Sequence, residues 1–338
     1  MARTKIFWHL LALLTVAVWG VTFVSSKELI SAGLRPAEIF AIRFVLAYLG
    51  ILLFSLISCH PRPLSRHPRL DRGSTSFAGS DRRILWARTW QDELLFLFLG
   101  ISGGSLYFLT ENTALVYTQA SNVSFLVCSA PLPTALLTLL YKRVGRSRFA
   151  RSLEDVRLGF PLICGTLLAL GGMALMLFDG AKLEVSLRGD LLALAAALCW
   201  AVYSLFMGRL SDEYGSLFAT RKVFFYGLLT IIPFLLGHGA FRWELLREPL
   251  VWGNLLFLGL VASLGCYVVW NRVLSALGNV SCTNYVYLNP VFTLVTAMIL
   301  LGERLTPAAA FGSALILLGV ILAGRGAWKP DLPPKHPK

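Results

Sequence analysis

LFLGISGGSLYFLTENTALVYTQASNVSFLVCSAPLPTALLTLLY, residues 97–141, lies over LFLGLVASLGCYVVWNRVLSALGNVSCTNYVYLNPVFTLVTAMIL, residues 256–300, at a constant offset of 159 with no gap. Only nine of the 45 aligned pairs are identical, so the match is weak in number. Its weight lies in position: Asn112 falls over Asn271, Pro131 over Pro290 and Thr134 over Thr293, all residues that polarise or break a helix. A repeat of this kind inside apolar sequence points to a duplicated membrane unit.

Composition supports a membrane setting. The chain is 56% hydrophobic and 14% charged, with a mean hydropathy of +0.68, whereas a soluble domain carries about 25% charged residues. Ten apolar runs, each long enough to cross a hydrocarbon core of about 30 Å, can be read at 7–26, 36–57, 94–112, 119–141, 158–178, 189–208, 216–237, 252–274, 281–301 and 307–324. The expected fold class is therefore an all-α integral membrane protein of ten transmembrane helices. The first run follows Arg3 and Lys5 as a signal peptide would, but no small-x-small cleavage site follows it, so it reads as a retained span.

Lys and Arg set the orientation. With the N-terminus in the cytoplasm, 21 basic residues fall on the inner side and 7 on the outer, which by the positive-inside bias places both termini in the cytoplasm. The same distribution accounts for the net charge of +13: the excess sits in loops 58–93 and 142–157, attached to no recognition motif, which argues against a nucleic-acid partner. Loop 58–93 reads as a cytoplasmic linker, with Trp86 and Trp90 approaching the interface.

Five runs per half is an odd number, so the second half starts on the opposite side and the repeats have inverted topology, as in secondary transporters. The organisation expected is a first repeat at 7–178, a second at 189–324 and a cytoplasmic tail at 325–338. The repeat extends past the opening match: Trp19-Gly20 corresponds to Trp200-Ala201, Phe40–Arg43 to Phe218–Arg221 with a gap, and Gly165/Gly172 to Gly312/Gly319.

Leu106–Leu115, followed by Tyr117-Thr118 and Ala120-Ser121-Asn122, resembles the third and fourth helices of EamA-like proteins in the drug/metabolite transporter superfamily. Asn289-Pro290-Val291, Leu301–Thr306 and Leu315–Val320 with Gly312 are similar to the C-terminal half of that family. The resemblance implies a multi-pass inner-membrane carrier, usually an exporter of amino acids or other small metabolites, with a cavity between the halves. One departure is Val144, which occupies the place corresponding to Glu303.

Candidate substrate-binding residues are the polar and aromatic side chains inside spans. A charge there costs about 2.5–3.5 kcal/mol on insertion scales and normally faces a cavity or a partner. Glu111 follows Tyr107 by one turn, on the same face; it can bind a substrate amine, take a proton in the transport cycle, or sit solvated at the outer interface. Arg43, about 10 Å into the second run, can hold a carboxylate, snorkel outward or pair with Glu111. Arg221 and Lys222 read as interfacial anchors. Asn112 and Asn271 suit either a ligand or an interhelical hydrogen bond. Trp19, Tyr107, Trp200, Tyr203, Tyr267, Trp270 and Tyr285 suit a cavity wall or plain packing. Pro131 and Pro290 are expected to kink their helices as conformational elements.

Gly100 and Gly104, mirrored by Gly259 and Ser263, are spaced for close helix approach. Six scattered cysteines and five scattered histidines give neither a metal nor a disulfide framework. No cofactor is expected and no nucleophile has an evident base, which leaves a carrier ahead of an enzyme, channel or membrane scaffold. The partners expected are a small-molecule solute and the lipid bilayer; an apolar helix face serves lipid or a second subunit equally, so the oligomeric state stays open.

Overall fold

The computed structural model describes residues 2–57, 86–118, 120–144, 160–177, 186–237, 242–278, 282, 284–300 and 307–327. Every regular element among them is helical. In chain order they are α1 (Ala2–Ser31), α2 (Pro36–Ile57), α3 (Trp90–Tyr117), α4 (Ala120–Val127), α5 (Pro131–Val144), α6 (Phe160–Leu177), α7 (Leu187–Tyr214), α8 (Ser216–Leu236), α9 (Pro249–Leu277), α10 (Asn289–Leu300) and α11 (Pro307–Ala327), with short 3-10 turns at Trp243–Arg247 and Asn284–Leu288. Six of these helices, α1, α2, α3, α7, α8 and α9, are each long and apolar enough to cross a membrane. The chain is a multi-pass membrane protein. Most of linker 58–93, the loop after Val144, Glu303 with Arg304, and most of the tail lie outside the described residues.

The surface is apolar and much of the interior is polar. Leu10, Leu14, Leu53, Leu167, Leu191, Leu198, Ile232, Ile299 and Leu318 are exposed, while Glu38, Arg43, Asp92, Glu93, Glu111, Asn112, Lys222 and Asn271 are buried. In water such an apolar exterior would be a large aggregation-prone patch; against lipid tails it costs nothing, and the charged groups shelter inside.

Small residues set the helix pairings. A Cβ on Gly100 would strike Tyr226, and Gly104 lies against Gly227, so α3 packs closely on α8. At the corresponding step in the second half, a Cβ on Gly259 would fall 2.8 Å from the Leu46 Cβ, which fits α9 onto α2. A Cβ on Gly172 would fall 2.5 Å from the Gly312 carbonyl, and one on Gly319 2.5 Å from the Gly165 carbonyl, so α6 and α11 meet almost backbone to backbone. Gly20 lets α1 approach α10, where Thr293 donates to the Gly20 carbonyl at 2.8 Å.

Two features depart from ten straight helices. Residues 128–130 form a turn, so the run at 119–141 is broken, not kinked, and Pro131 starts α5. Proline suits that place because the first helical N–H has no partner to lose. Pro290 likewise stands at the start of α10, after the 3-10 turn. The second feature is a π-helical stretch inside both repeated spans, Ile101–Leu106 in α3 and Phe257–Gly265 in α9. The wider turn changes which backbone carbonyls are free for side-chain donors.

Candidate functional site

Those carbonyls are used midway along the two spans. The Tyr267 hydroxyl donates to the Gly103 carbonyl at 2.9 Å, and the Trp19 indole N–H donates to the Ala262 carbonyl at 3.1 Å. Each bond runs from one half of the chain to the π-stretch of the other, and the two together orient the rings around a cavity. Its lining includes Trp19, Thr22, Phe23, Arg43, Tyr107, Phe108, Glu111 and Val127 from the first half and Trp200, Tyr267, Val286 and Asn289 from the second. Trp19 and Trp200 meet edge to face at 5.2 Å between ring centroids, and Tyr107 lies 5.3 Å from Trp200. Such pairs stabilise beyond simple area burial. The cavity measures about 30 Å³, room for about two waters.

Two ionisable side chains face this aromatic sleeve. Arg43 is 1% exposed; its Nε donates to the Ser263 hydroxyl at 2.9 Å and its guanidinium carbon stands 4.2 Å above the centre of the Phe108 ring. Arg43 is enclosed and does not snorkel outward; Glu111 acts on it through space without a direct ion pair, and the Arg43 Nη1 has no hydrogen-bond partner. Glu111 is 2% exposed, not solvated at an interface, and shares a hydrogen bond with Tyr107 one turn earlier.

Six of the candidate residues, Trp19, Arg43, Tyr107, Glu111, Trp200 and Tyr267, come together in this lining. Four do not. Asn271 lies behind the wall, accepting from the Tyr203 hydroxyl at 2.7 Å and donating to Thr220 at 2.7 Å, so Asn271 and Tyr203 tie α9 to α7 and α8. Asn112 is fully buried and reaches the Pro36 carbonyl at 3.5 Å. Tyr285 bonds the His9 ring at 2.6 Å. Sequence reasoning missed Phe108, Thr22 and Asn289 as lining and Ser263 as the partner of Arg43. Phe108 was within reach of it, because the 159 offset places it over Tyr267.

Polar clusters close the bundle at both ends. At one end Glu93 pairs with Lys222 at 2.5 Å, accepts from the Tyr226 hydroxyl and accepts from the Ala87 N–H at 2.6 Å. Beside it Asp92 accepts from the Tyr214 hydroxyl at 2.7 Å and lies 3.5 Å from Arg209. Lys222 is thus a buried ion-pair partner and not the interfacial anchor its place in the sequence suggested. At the other end Asn254 bonds Ser25 at 2.6 Å and Glu28 at 3.2 Å, joining α9 to α1. Glu38 holds Arg35 at 2.6 Å, and the Arg242 guanidinium reaches the Gly33 carbonyl. No cluster of three or more His, Cys, Asp or Glu able to hold a metal occurs among the described residues.

The chain is thus a helical bundle with several helices able to cross a membrane and a polar and aromatic cavity lined from both halves of the sequence. The chain belongs to the EamA-like transporter family, whose model matches residues 6–178 and again 187–325. It is 29% identical over 314 residues, 93% of this chain and 96% of the relative, to an uncharacterized transporter of Archaeoglobus fulgidus. It is 26% identical to a probable amino-acid metabolite efflux pump of Escherichia coli, over 92% of this chain and 93% of that one. It is 27% identical to a probable terminal-alkyne amino-acid exporter of Streptantibioticus cattleyicolor, over 70% of this chain and 74% of that one. A solved protein crystal structure superposes over 96% of this chain and 98% of its own with a TM-score of 0.65 at 17% identity, a likeness of fold alone.

Proposed function

We propose that this protein is a secondary transporter that exports amino acids or related small metabolites across the inner membrane by alternating access, coupled to protons through Glu111. The observation that carries this reading is the cavity, to which both halves contribute aromatic rings and in which one carboxyl and one guanidinium are enclosed. In the arrangement proposed, the chain crosses ten times as two five-span repeats of inverted topology, with both termini in the cytoplasm. Three shorter apolar helices, at 163–172, 284–300 and 310–319, would supply three of the four remaining crossings, and α4 with α5 the fourth. Support for inversion comes from reciprocal packing: α3 of the first half leans on α8, and its counterpart α9 leans on α2. Transport then consists of opening one end cluster while the other holds. The efflux and exporter names of two relatives favour export of amino-acid-like solutes. Nothing in this reading requires catalysis or a cofactor.

The test is uptake of a labelled metabolite panel, weighted to amino acids, into inside-out vesicles, with a proton gradient imposed and then collapsed. Saturable accumulation lost on collapse is expected. Saturable but gradient-insensitive equilibration would remove Glu111 from coupling, and passage without saturation or counterflow would make the protein a channel.

A further inference from the structure

Within the cavity the hydrogen-bonding inventory is unbalanced. Three polar atoms of lining residues have no partner: the donors Arg43 Nη1 and Trp200 Nε1, and the acceptor Asn289 Oδ1. Buried polar groups are almost always satisfied, so the two unpaired donors on this lining, Arg43 Nη1 and Trp200 Nε1, ask for an acceptor on a ligand, while Asn289 Oδ1 asks for a donor. No acidic side chain stands within ion-pair distance of Arg43 among the described residues. Its Nε donates to Ser263, which fixes the plane of the fork and leaves Nη1 over. Glu111 on the same lining acts on this guanidinium through space, but no carboxylate is in direct contact with its fork.

Resting on the carrier reading above, we propose that the transported solute bears a free carboxylate, which docks on Arg43 with the Trp200 indole N–H as second donor, and that Ser263 is the positioning residue for Arg43. A carboxylate is acceptor-only and matches a planar guanidinium fork, whereas an amide brings donors of its own to face one, and an ammonium adds like charge. The rings of Trp19, Phe108 and Tyr267 then offer the apolar remainder of the solute a wall.

Binding to the purified full-length protein, followed by its tryptophan fluorescence, is compared for L-phenylalanine, 3-phenylpropionate, L-phenylalaninamide and phenethylamine. The two acids are expected to bind roughly ten- to a hundredfold more tightly than the amide and the amine, the span of a hydrogen bond to a charged group. Arg43→Gln should lower the acids to the level of the amide while leaving the amide where it was, Arg43→Lys should restore part of the difference, and Ser263→Ala should narrow it. Equal binding of acid and amide by the wild type would overturn the proposal, as would a uniform loss of all four ligands in Arg43→Gln, the mark of a purely structural arginine. Binding of none of the four would overturn it as well, while saturable counterflow of some other solute would leave the carrier reading standing.

Discussion

Replacing Glu93 with Gln should destabilise the protein more than replacing Lys222 with Met, and the double replacement should recover most of the loss. The pair is enclosed, with 7% of the Glu93 side chain and 5% of the Lys222 side chain exposed, so solvent screens it little. Removing one member of a buried pair costs about 3–5 kcal/mol, because the survivor keeps its desolvation penalty without its counter-charge. The survivors are not equivalent here. Without Lys222, Glu93 still accepts from Tyr226 and from the Ala87 N–H, bonds of about 1.5–3 kcal/mol each for a charged acceptor. Without the Glu93 charge, Lys222 keeps the faces of Trp86, at 4.4 Å, and Tyr226, contacts worth about 0.5–2 kcal/mol. Glu93→Gln should therefore fall near the top of the range and Lys222→Met near or below its bottom. At about 2–4 °C per kcal/mol for chains somewhat shorter than this one, the melting temperature of the first should drop by at least about 5 °C. Thermal unfolding of the full chain in lipid nanodiscs, for both singles and the double, reads the coupling directly. If the double loses the sum of the two singles, the pair does not hold α3 to α8.

Glu111→Gln should leave solute binding measurable and flatten the dependence of transport on an imposed proton gradient; an unchanged gradient response in vesicles refutes the coupling role. Asn271→Ala should cost more stability than Asn112→Ala, by up to about 1–2 kcal/mol, because the first strands the Tyr203 hydroxyl and removes a short bond to Thr220, while the second breaks only a long contact to Pro36. Equal melting shifts for the two would count against that. Gly172→Leu or Gly319→Leu should force α6 and α11 apart at a cost of about 1–3 kcal/mol or more, seen as lost thermal stability, since even a Cβ falls 2.5 Å from a carbonyl of the opposing helix.

The sequence discloses the elements whose signal is local. Apolar runs marked the long spans, and Pro131 and Pro290 marked where two of them falter. The in-span charges Arg43 and Glu111 were legible as cavity residues because a charge in hydrocarbon needs a reason to be there. What was hidden depends on partners far away in the chain. Lys222 at the start of α8 reads as an ordinary interfacial lysine until Glu93, 129 residues earlier, is found against it. Asn271 and Asn112 look equivalent along the repeat, yet only the first meets a tyrosine hydroxyl from α7. The π-stretches left no sign beyond glycines that also serve packing, and Gly103 answers to both demands: it offers its carbonyl to Tyr267, and a Cβ there would overlap the Tyr203 ring.

The cavity's symmetry is uneven in an instructive way. Its apolar wall comes in repeat-related pairs: Trp19 with Trp200, Phe108 with Tyr267, Val127 with Val286. Its polar groups do not. Glu111 falls over Trp270, Tyr107 over Cys266 and Asn289 over Ala130, while Arg221, the counterpart of Arg43, stands over Phe218 and away from the lining. A carrier must hold two conformations within a few kcal/mol of each other, and a matched apolar sleeve gives each half an equivalent surface to present in either one. Arg43, Tyr107 and Glu111, gathered in the first half, can travel together as a unit through the exchange. Under the alternating access proposed, the bonds that would break and reform include those crossing between halves from Arg43 to Ser263, from Trp19 to Ala262 and from Tyr267 to Gly103. A carboxylate docked on Arg43 Nη1 would sit on the same guanidinium whose Nε bond to Ser263 crosses between the halves, which would link the loading of the cavity to the contact between them.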